Sequence, residues 1–223
     1  MKELRAIIQG FYKKANFVPR LVTVVAAVIL MGFAMSLLMK INLGTDPCTL
    51  MNNSIAMTLG MTLGNWQALL NIILLIFVVL FGGRNLGFGT IANMFLVGYS
   101  IDFFNWVWNH ILPSDAFDSW TVRIVILVPA LLLFILAAAV YMEVDMGTAP
   151  YDAVPYIIST KFKKIPFRII RMAYDFLVIL VGLVFGGKIQ IVTVLMALLL
   201  GPVISWVGTK LKRLKGLEEE EKL

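Results

Sequence analysis

Charged residues are scarce in this sequence: they make up 14% of its 223 residues, whereas 60% are hydrophobic. A water-soluble domain normally carries about 25% charged residues, because its surface must stay hydrated. The composition therefore excludes a water-soluble globular protein. Several apolar segments are as long as a transmembrane helix, and they lack the alternating polarity of a transmembrane β-barrel. The sequence predicts an all-α membrane protein.

Residues that bind metals or form disulfides are nearly absent as well. Cys48 is the sole cysteine and His110 the sole histidine. No intramolecular disulfide can form, and no Cys/His cluster has the spacing of a zinc site. The sequence also has no Gly-x-Ser-x-Gly and no His-Glu-x-x-His motif. We therefore expect no catalytic residues, no metal and no cofactor, and hence no enzyme.

Six apolar segments are long enough to cross a bilayer core about 30 Å thick. They are 21–39, 66–81, 90–108, 122–142, 169–185 and 189–207. Two softer stretches, 47–63 and 150–164, begin with proline and contain polar residues. We interpret them as half-helices that lie in the interface or dip partway into the membrane. A basic segment, 1–20, precedes the first span, and a charged tail, 209–223, follows the last.

The placement of lysine and arginine predicts the orientation. With six spans and a cytoplasmic N-terminus, all but three of the 19 basic residues lie on the cytoplasmic side, as the positive-inside rule requires. The exceptions are Lys40, Arg123 and Lys188. We predict a plasma (inner) membrane protein with both termini in the cytoplasm and the 109–120 loop outside. Anionic lipid accounts for the basic residues, so the net charge of +6 does not indicate nucleic acid.

An internal repeat divides the chain. A shift of 103 residues places the segment 44–47, Gly-Thr-Asp-Pro, on the segment 147–150, Gly-Thr-Ala-Pro. The repeats cover 21–108 and 121–208, with three predicted spans in each. Because three is an odd number, the second copy must enter the membrane from the opposite side. Inverted repeats of this kind are typical of secondary transporters.

The two Gly-Thr-x-Pro breaks supply the first candidate site. Glycine can end the incoming helix, and proline suits the first turn of the next. Asp46 stands in the capping position, and Asp152 lies in the first turn, where the helix dipole favours a carboxylate. One interpretation is a pair of well-capped reversals at the membrane interface. The other is that exposed amides, with Thr45, Asp46, Thr148 and Asp152, bind a substrate or an ion.

Two further aspartates lie within predicted spans, where an ionisable group is rare unless it pairs or faces water. Asp175 follows Arg171 by four residues on the same helical face, which suggests an ion pair near the cytoplasmic boundary. Alternatively, Asp175 faces a central cavity and couples transport to a proton or cation. Asp102 allows two interpretations as well. It either extends toward the outer membrane interface, which is a structural role, or faces a central cavity.

The second break carries the sequence Gly147, Pro150, Tyr151, Asp152 after a long apolar span. This Gly-x-x-Pro-aromatic-Asp signature resembles that of the YczE/YyaS/YitT group of bacterial multi-pass membrane proteins, and the likeness covers nearly the whole chain. In the first break Cys48 replaces the aromatic residue and the aspartate precedes the proline. Asp152 alone therefore occupies the acidic position of the signature. The resemblance implies a multi-pass helical fold.

Two classes of function remain open. The first is a transporter or permease for a small molecule or an ion, which works by alternating access between the inverted halves. The second is a membrane scaffold or accessory subunit of another membrane or biosynthetic system, for which Gly182-x-x-x-Gly186 offers a packing surface. The predicted partners are membrane lipid, the substrate, and either further copies of the chain or another membrane protein.

Overall fold

The computed structural model of the protein describes residues 16–81 and 86–220. This part of the chain forms eight helices and no strand, so the predicted all-α class is confirmed. The helices are α1 (Phe17–Ile41), α2 (Pro47–Thr58), α3 (Leu63–Phe81), α4 (Phe88–Ile111), α5 (Trp120–Val144), α6 (Pro150–Lys161), α7 (Phe167–Val184) and α8 (Ile191–Glu220). Residues 1–15 of the basic segment, residues 82–85 and the last three residues of the tail lie outside the described residues.

Four helices are long and apolar enough to cross a membrane: α1, α3, α5 and the portion Ile191–Leu211 of α8. The other two predicted spans correspond to α4 and α7, which are more polar. The 18 residues of α7 include Arg168, Arg171 and Asp175. Six spans therefore stay a prediction, because length and composition support four. The helix α8 continues beyond the sixth predicted span into the predicted tail.

Both softer stretches form short helices that begin at their prolines. The helices α2 and α6 each have 12 residues, and proline occupies the first turn of each. Asp46 caps α2, since its carboxylate accepts a hydrogen bond from the Thr49 backbone N–H at 3.1 Å. The equivalent residue before α6 is Ala149, which has no capping side chain. The predicted half-helices are thus short α-helices, and only the first has a side-chain cap.

The long helices before them, α1 and α5, end in the same way. Asn42 and Asp145 adopt left-handed backbone conformations, with φ of 52° and 51°. Two residues later, Gly44 and Gly147 have φ of 122° and 118°, which side-chain-bearing residues rarely adopt. The reversal of the chain into each half-helix therefore depends on the glycine of the Gly-Thr-x-Pro break.

Each reversal is hydrogen-bonded to a distant helix start in the other half of the chain. The Leu43 carbonyl accepts from the Val192 N–H at 3.2 Å, and the Met146 carbonyl accepts from the Gly89 N–H at 2.8 Å. The two bonds are related by the shift of 103 residues at both donor and acceptor. The start of α8 thus anchors the first reversal, and the start of α4 anchors the second.

The packing of the helices also joins the two halves of the chain. The long helices α1, α4, α5 and α8 surround the largest apolar core, in which Val28, Met35 and Leu38 are fully or almost fully buried. Outside it, α2 packs against α7 and α6 packs against α3. Each half-helix therefore lies against a long helix of the other half.

The Gly-x-x-x-Gly motif serves the chain itself. A Cβ atom on Gly182 would lie 3.2 Å from the Cα atom of Met51 in α2. Gly186 has a φ of 81° and follows the end of α7, where it permits the turn toward α8. Gly182 therefore brings α2 close to α7, so the motif takes part in helix packing within the chain.

We expect Gly147→Ala to lower stability by about 1–3 kcal/mol, because a positive φ strains an alanine. Its Cβ would also lie 2.5 Å from the Gly87 nitrogen and from Thr90 Oγ1. Thermal unfolding in detergent, followed by tryptophan fluorescence, measures the change. Gly201→Ala is the matched control, since a Cβ there meets no atom within 4 Å in α8. Equal unfolding temperatures for the two variants would contradict the assigned role of the glycine.

Candidate functional site

Arg171 joins two carboxylates from different helices. Its Nη1 donates a hydrogen bond to Asp152 Oδ1 at 2.6 Å, and its Nε donates to Asp175 Oδ2 at 3.0 Å. Arg171 and Asp175 share a face of α7 at a spacing of four residues. Asp152 comes from the first turn of α6. The guanidinium therefore ties the start of a half-helix to the middle of a long helix.

Tyr151 completes the environment of Asp175. Its hydroxyl donates to Asp175 Oδ1 at 2.8 Å, so that both oxygens of this carboxylate accept hydrogen bonds. The guanidinium carbon of Arg171 lies 5.3 Å from the centroid of the Tyr151 ring, within cation–π range. The Asp175 side chain is 8% exposed, whereas that of Asp152 is 41% exposed. One carboxylate is thus enclosed and the other is open on one side.

The start of α2 adjoins the same place. Cys48 and Met51 of α2 pack with Tyr151 of α6 and Val178 of α7 in one apolar contact. Asp46, two residues before Cys48, caps α2 through the Thr49 N–H. The first turns of both half-helices therefore meet beside the Arg171 ion pairs.

We call Asp46, Asp152, Arg171 and Asp175 the acidic cluster. Three carboxylates stand against one guanidinium, and the N-terminal ends of α2 and α6 add partial positive charge. Such a group attracts protons and cations, because its carboxylates outnumber its one cationic side chain. Among the described residues, no three His, Cys, Asp or Glu side chains are grouped as metal ligands.

The predicted site residues fall into three groups. Asp46, Asp152 and Asp175 come together, and the predicted Asp175–Arg171 pair is present. Thr45 and Thr148 lie in the reversals: the Thr193 hydroxyl accepts from the Thr45 N–H at 3.3 Å, and the Thr90 hydroxyl donates to the Thr148 carbonyl at 2.9 Å. Their described contacts hold the reversals in place.

Asp102 stands apart from these contacts. Its Oδ2 accepts a hydrogen bond from the Gly64 N–H at 2.7 Å, at the first turn of α3. The carboxylate thereby satisfies one of the free amides at the start of a neighbouring helix. This contact provides a structural reason for a charge in α4.

Sequence reasoning missed the link between Asp152 and Arg171, because the two residues are 19 positions apart and no helical spacing connects them. It also left out Tyr151 as a hydrogen-bond donor. The aromatic position of the family signature was the available signal for Tyr151. Only the packing of α6 against α7 brings the phenol to Asp175.

A cleft of about 330 Å³ lies beside the first reversal, between the end of α1, the helix α2 and the turn from α7 to α8. Its volume lies in the range of small-molecule sites. Among the described residues along it, Lys188 is the only charged one. The polar uncharged residues of its wall are Asn42, Thr45, Asn53, Ser54, Gln190 and Thr193.

Long apolar helices with exposed hydrophobic side chains, together with ion pairs enclosed between helices, define a multi-pass α-helical membrane protein. Ile73 and Ile76 of α3, for example, are 53% and 57% exposed. Such side chains suit a lipid environment and would be costly in water. Within this class, the family of the chain follows from its similarity to known protein sequences.

The chain belongs to the family of unknown function DUF6198, which it matches over residues 18–209. It is 27% identical over 180 residues to a protein of Bacillus subtilis (strain 168), "Uncharacterized membrane protein YczE", with 80% of each chain covered. It is 23% identical over 178 residues to "Uncharacterized protein YyaS" of the same strain, with 79% of this chain and 86% of the relative covered.

A third relative is an "Uncharacterized protein" of Haemophilus influenzae. The two sequences are 24% identical over 195 residues, which cover 87% of this chain and 86% of the relative. No solved structure matches the chain. The resemblance drawn from the sequence is thus confirmed for YczE and YyaS, and the likeness to YitT stays a prediction.

We expect Arg171→Gln to lower stability by about 3 kcal/mol, because it leaves the enclosed Asp175 carboxylate without its cation. Thermal unfolding in detergent measures the loss, and adding Asp175→Asn should recover part of it. Arg123→Gln is the matched control: its partner Asp118 is 73% exposed, so the change should cost less than about 1 kcal/mol. Similar losses for the two arginine variants would refute a special role for the acidic cluster.

Proposed function

We propose that this protein is a plasma-membrane transporter or permease for a small molecule or an ion. It crosses the bilayer six times as two inverted three-span halves, with both termini in the cytoplasm, and it moves its substrate without chemical conversion. The observation that carries the proposal is the acidic cluster, at which two half-helices from different halves of the chain begin. Broken helices whose ends meet charged groups at membrane depth form the binding sites of several transporters.

The path of α2 supports a re-entrant geometry. The Thr58 hydroxyl at its end lies 3.2 Å from the carbonyl oxygen of Phe185, just after α7. Near its start, Met51 packs in one apolar contact with Val178, in the middle of α7. In the six-span orientation α7 ends at the outer surface. The chain therefore descends after α1, turns at Asp46 and returns to the outer surface as α2.

The path of α6 mirrors this on the cytoplasmic side. At its end, the Lys161 ammonium lies 5.0 Å from the centroid of the Phe81 ring, at the cytoplasmic end of α3 in this orientation. At its start, Asp152 contacts Arg171. The half-helices thus approach from opposite surfaces, and both direct their positive ends toward the membrane interior.

The ion pairs can couple binding to movement. Asp152 and Asp175 share one guanidinium, and Asp152 is the more exposed of the two. A proton or cation that neutralises Asp152 weakens its bond to Arg171 and releases the start of α6 from α7. Because Arg171 and Asp175 both lie on α7, the enclosed carboxylate keeps its cation while α6 moves away together with Tyr151.

The cleft beside Thr45 is the outer entrance in this scheme. Hydroxyl and amide groups along its wall suit a small polar solute, and Lys188 favours one without positive charge. The competing function, a scaffold or accessory subunit of another membrane system, would need a packing surface other than Gly182, which contacts α2 within the chain.

We expect Asp152→Asn and Asp175→Asn to reduce transport at least about tenfold, because each removes a protonatable group from the acidic cluster. Proteoliposomes containing a pH-sensitive dye are exposed to a panel of inorganic ions, small organic acids, amines and neutral polyols. Asp118→Asn makes the same chemical change in an exposed loop and should retain the wild-type rate. Absence of flux for the whole panel, or equal rates for all three variants, would contradict the proposal.

The inverted arrangement is tested by labelling single cysteines in a Cys48→Ser background. Met57→Cys lies at the end of α2, where the native side chain is 73% exposed, and Lys161→Cys lies at the end of α6. In sealed, oriented vesicles a membrane-impermeant maleimide should reach Met57→Cys from outside and Lys161→Cys from the cytoplasmic side. Labelling of both from one side would rule out inverted halves.

A further inference from the structure

Two buried polar atoms on α2 and α3 have no hydrogen-bond partner among the described residues: Asn52 Oδ1 and Trp66 Nε1. Asn52 is 1% exposed. A polar atom enclosed without a partner loses its hydration and gains nothing in return, so native proteins seldom contain one. One atom is an acceptor and the other a donor. Each of them therefore calls for a small polar partner beside it.

These atoms adjoin the start of α2. The Asn52 amide nitrogen lies 3.2 Å from Cys48 Sγ, at the spacing of one helical turn. Trp66 and Cys48 pack against the same apolar contact, which includes Met51 and Ile55 of α2. The amide, the indole and the thiol therefore border the region where the acidic cluster begins, two residues before Cys48.

The second half of the chain has no counterpart to this polar pair. The shift of 103 residues places Pro155 at the position of Asn52 and Ile169 at that of Trp66. At the position of Cys48 it places Tyr151, whose hydroxyl is bonded to Asp175. The half-helix α6 thus forms and packs without an amide or an indole there. The architecture itself does not require Asn52 and Trp66.

We propose that Cys48, Asn52 and Trp66 line a polar subsite, with the Asn52 amide buried in its wall, for a small neutral hydrogen-bonding group. All three side chains are neutral, one accepts and one donates, so the occupant is a water molecule or a hydroxyl or amide group of a solute. A charged part of the occupant would instead contact the neighbouring acidic cluster. The role of a solute here rests on the proposed function, whereas occupancy by water does not.

Cys48 provides the test, because it is the sole cysteine of the chain. Folded protein in proteoliposomes is exposed to Ag⁺, a water-borne thiol reagent of about the size of the subsite's occupant. The remaining free thiol is then counted by mass spectrometry after denaturation and alkylation with N-ethylmaleimide. A hydrated subsite predicts that Ag⁺ protects Cys48 in the folded wild-type protein.

Two variants test whether Ag⁺ reaches Cys48 by way of Asn52 and Trp66. Asn52→Leu and Trp66→Phe each replace a polar wall group by an apolar one, and each should slow the Ag⁺ reaction at least about tenfold. Asn65→Leu is the matched control, since Asn65 is exposed, bonds to Tyr99 and does not line the cleft, and this variant should react at the wild-type rate. Unfolding temperatures identify a variant that has lost its fold, and the other variant then decides.

Reaction of Cys48 only after denaturation, or wild-type rates in both Asn52→Leu and Trp66→Phe, would overturn the subsite. Repeating the reaction with the neutral polyols of the transport panel separates the two occupants: slower Ag⁺ reaction identifies a solute, and an unchanged rate identifies water. Absence of flux with intact Ag⁺ access would refute transport while leaving the subsite in place.

Discussion

The arrangement of the half-helices depends on the pairing of charge inside an apolar chain. Asp175 is enclosed between helices, and a carboxylate in such surroundings is stable only when its oxygens are bonded. Tyr151 and Arg171 supply these bonds, and Arg171 is itself held by Asp152. Because Tyr151 and Asp152 open α6, the position of this half-helix on α7 follows from the need to pair one charge.

The reversals supply the second constraint. A helix that stops at membrane depth exposes backbone groups that lipid cannot satisfy. Here the carbonyls of Leu43 and Met146 accept bonds from the starts of α8 and α4, and the Asp46 carboxylate accepts from the start of α2. The reversals before the half-helices are therefore held by hydrogen bonds to distant parts of the chain.

The two halves use one backbone plan with different side chains. Asn42 and Asp145, and likewise Gly44 and Gly147, share their conformations. At the start of the half-helices, however, Cys48 of the first half corresponds to Tyr151 of the second under the shift of 103 residues. The tyrosine reaches Asp175, whereas the thiol is within contact distance of the Asn52 amide. A common fold thus presents a charged site on one side and a neutral polar pair on the other.

The sequence by itself determined the class of the protein, the eight-element order and the starts of the half-helices at Pro47 and Pro150, because hydropathy and the Gly-Thr-x-Pro punctuation are local signals. It also offered the Asp175–Arg171 pair as one of two interpretations, since four residues make about one helical turn. Only the tertiary structure brought Asp152 to Arg171, Tyr151 to Asp175 and Asp102 to Gly64. These contacts join different helices, and no periodicity within one segment carries information about which helix packs beside it.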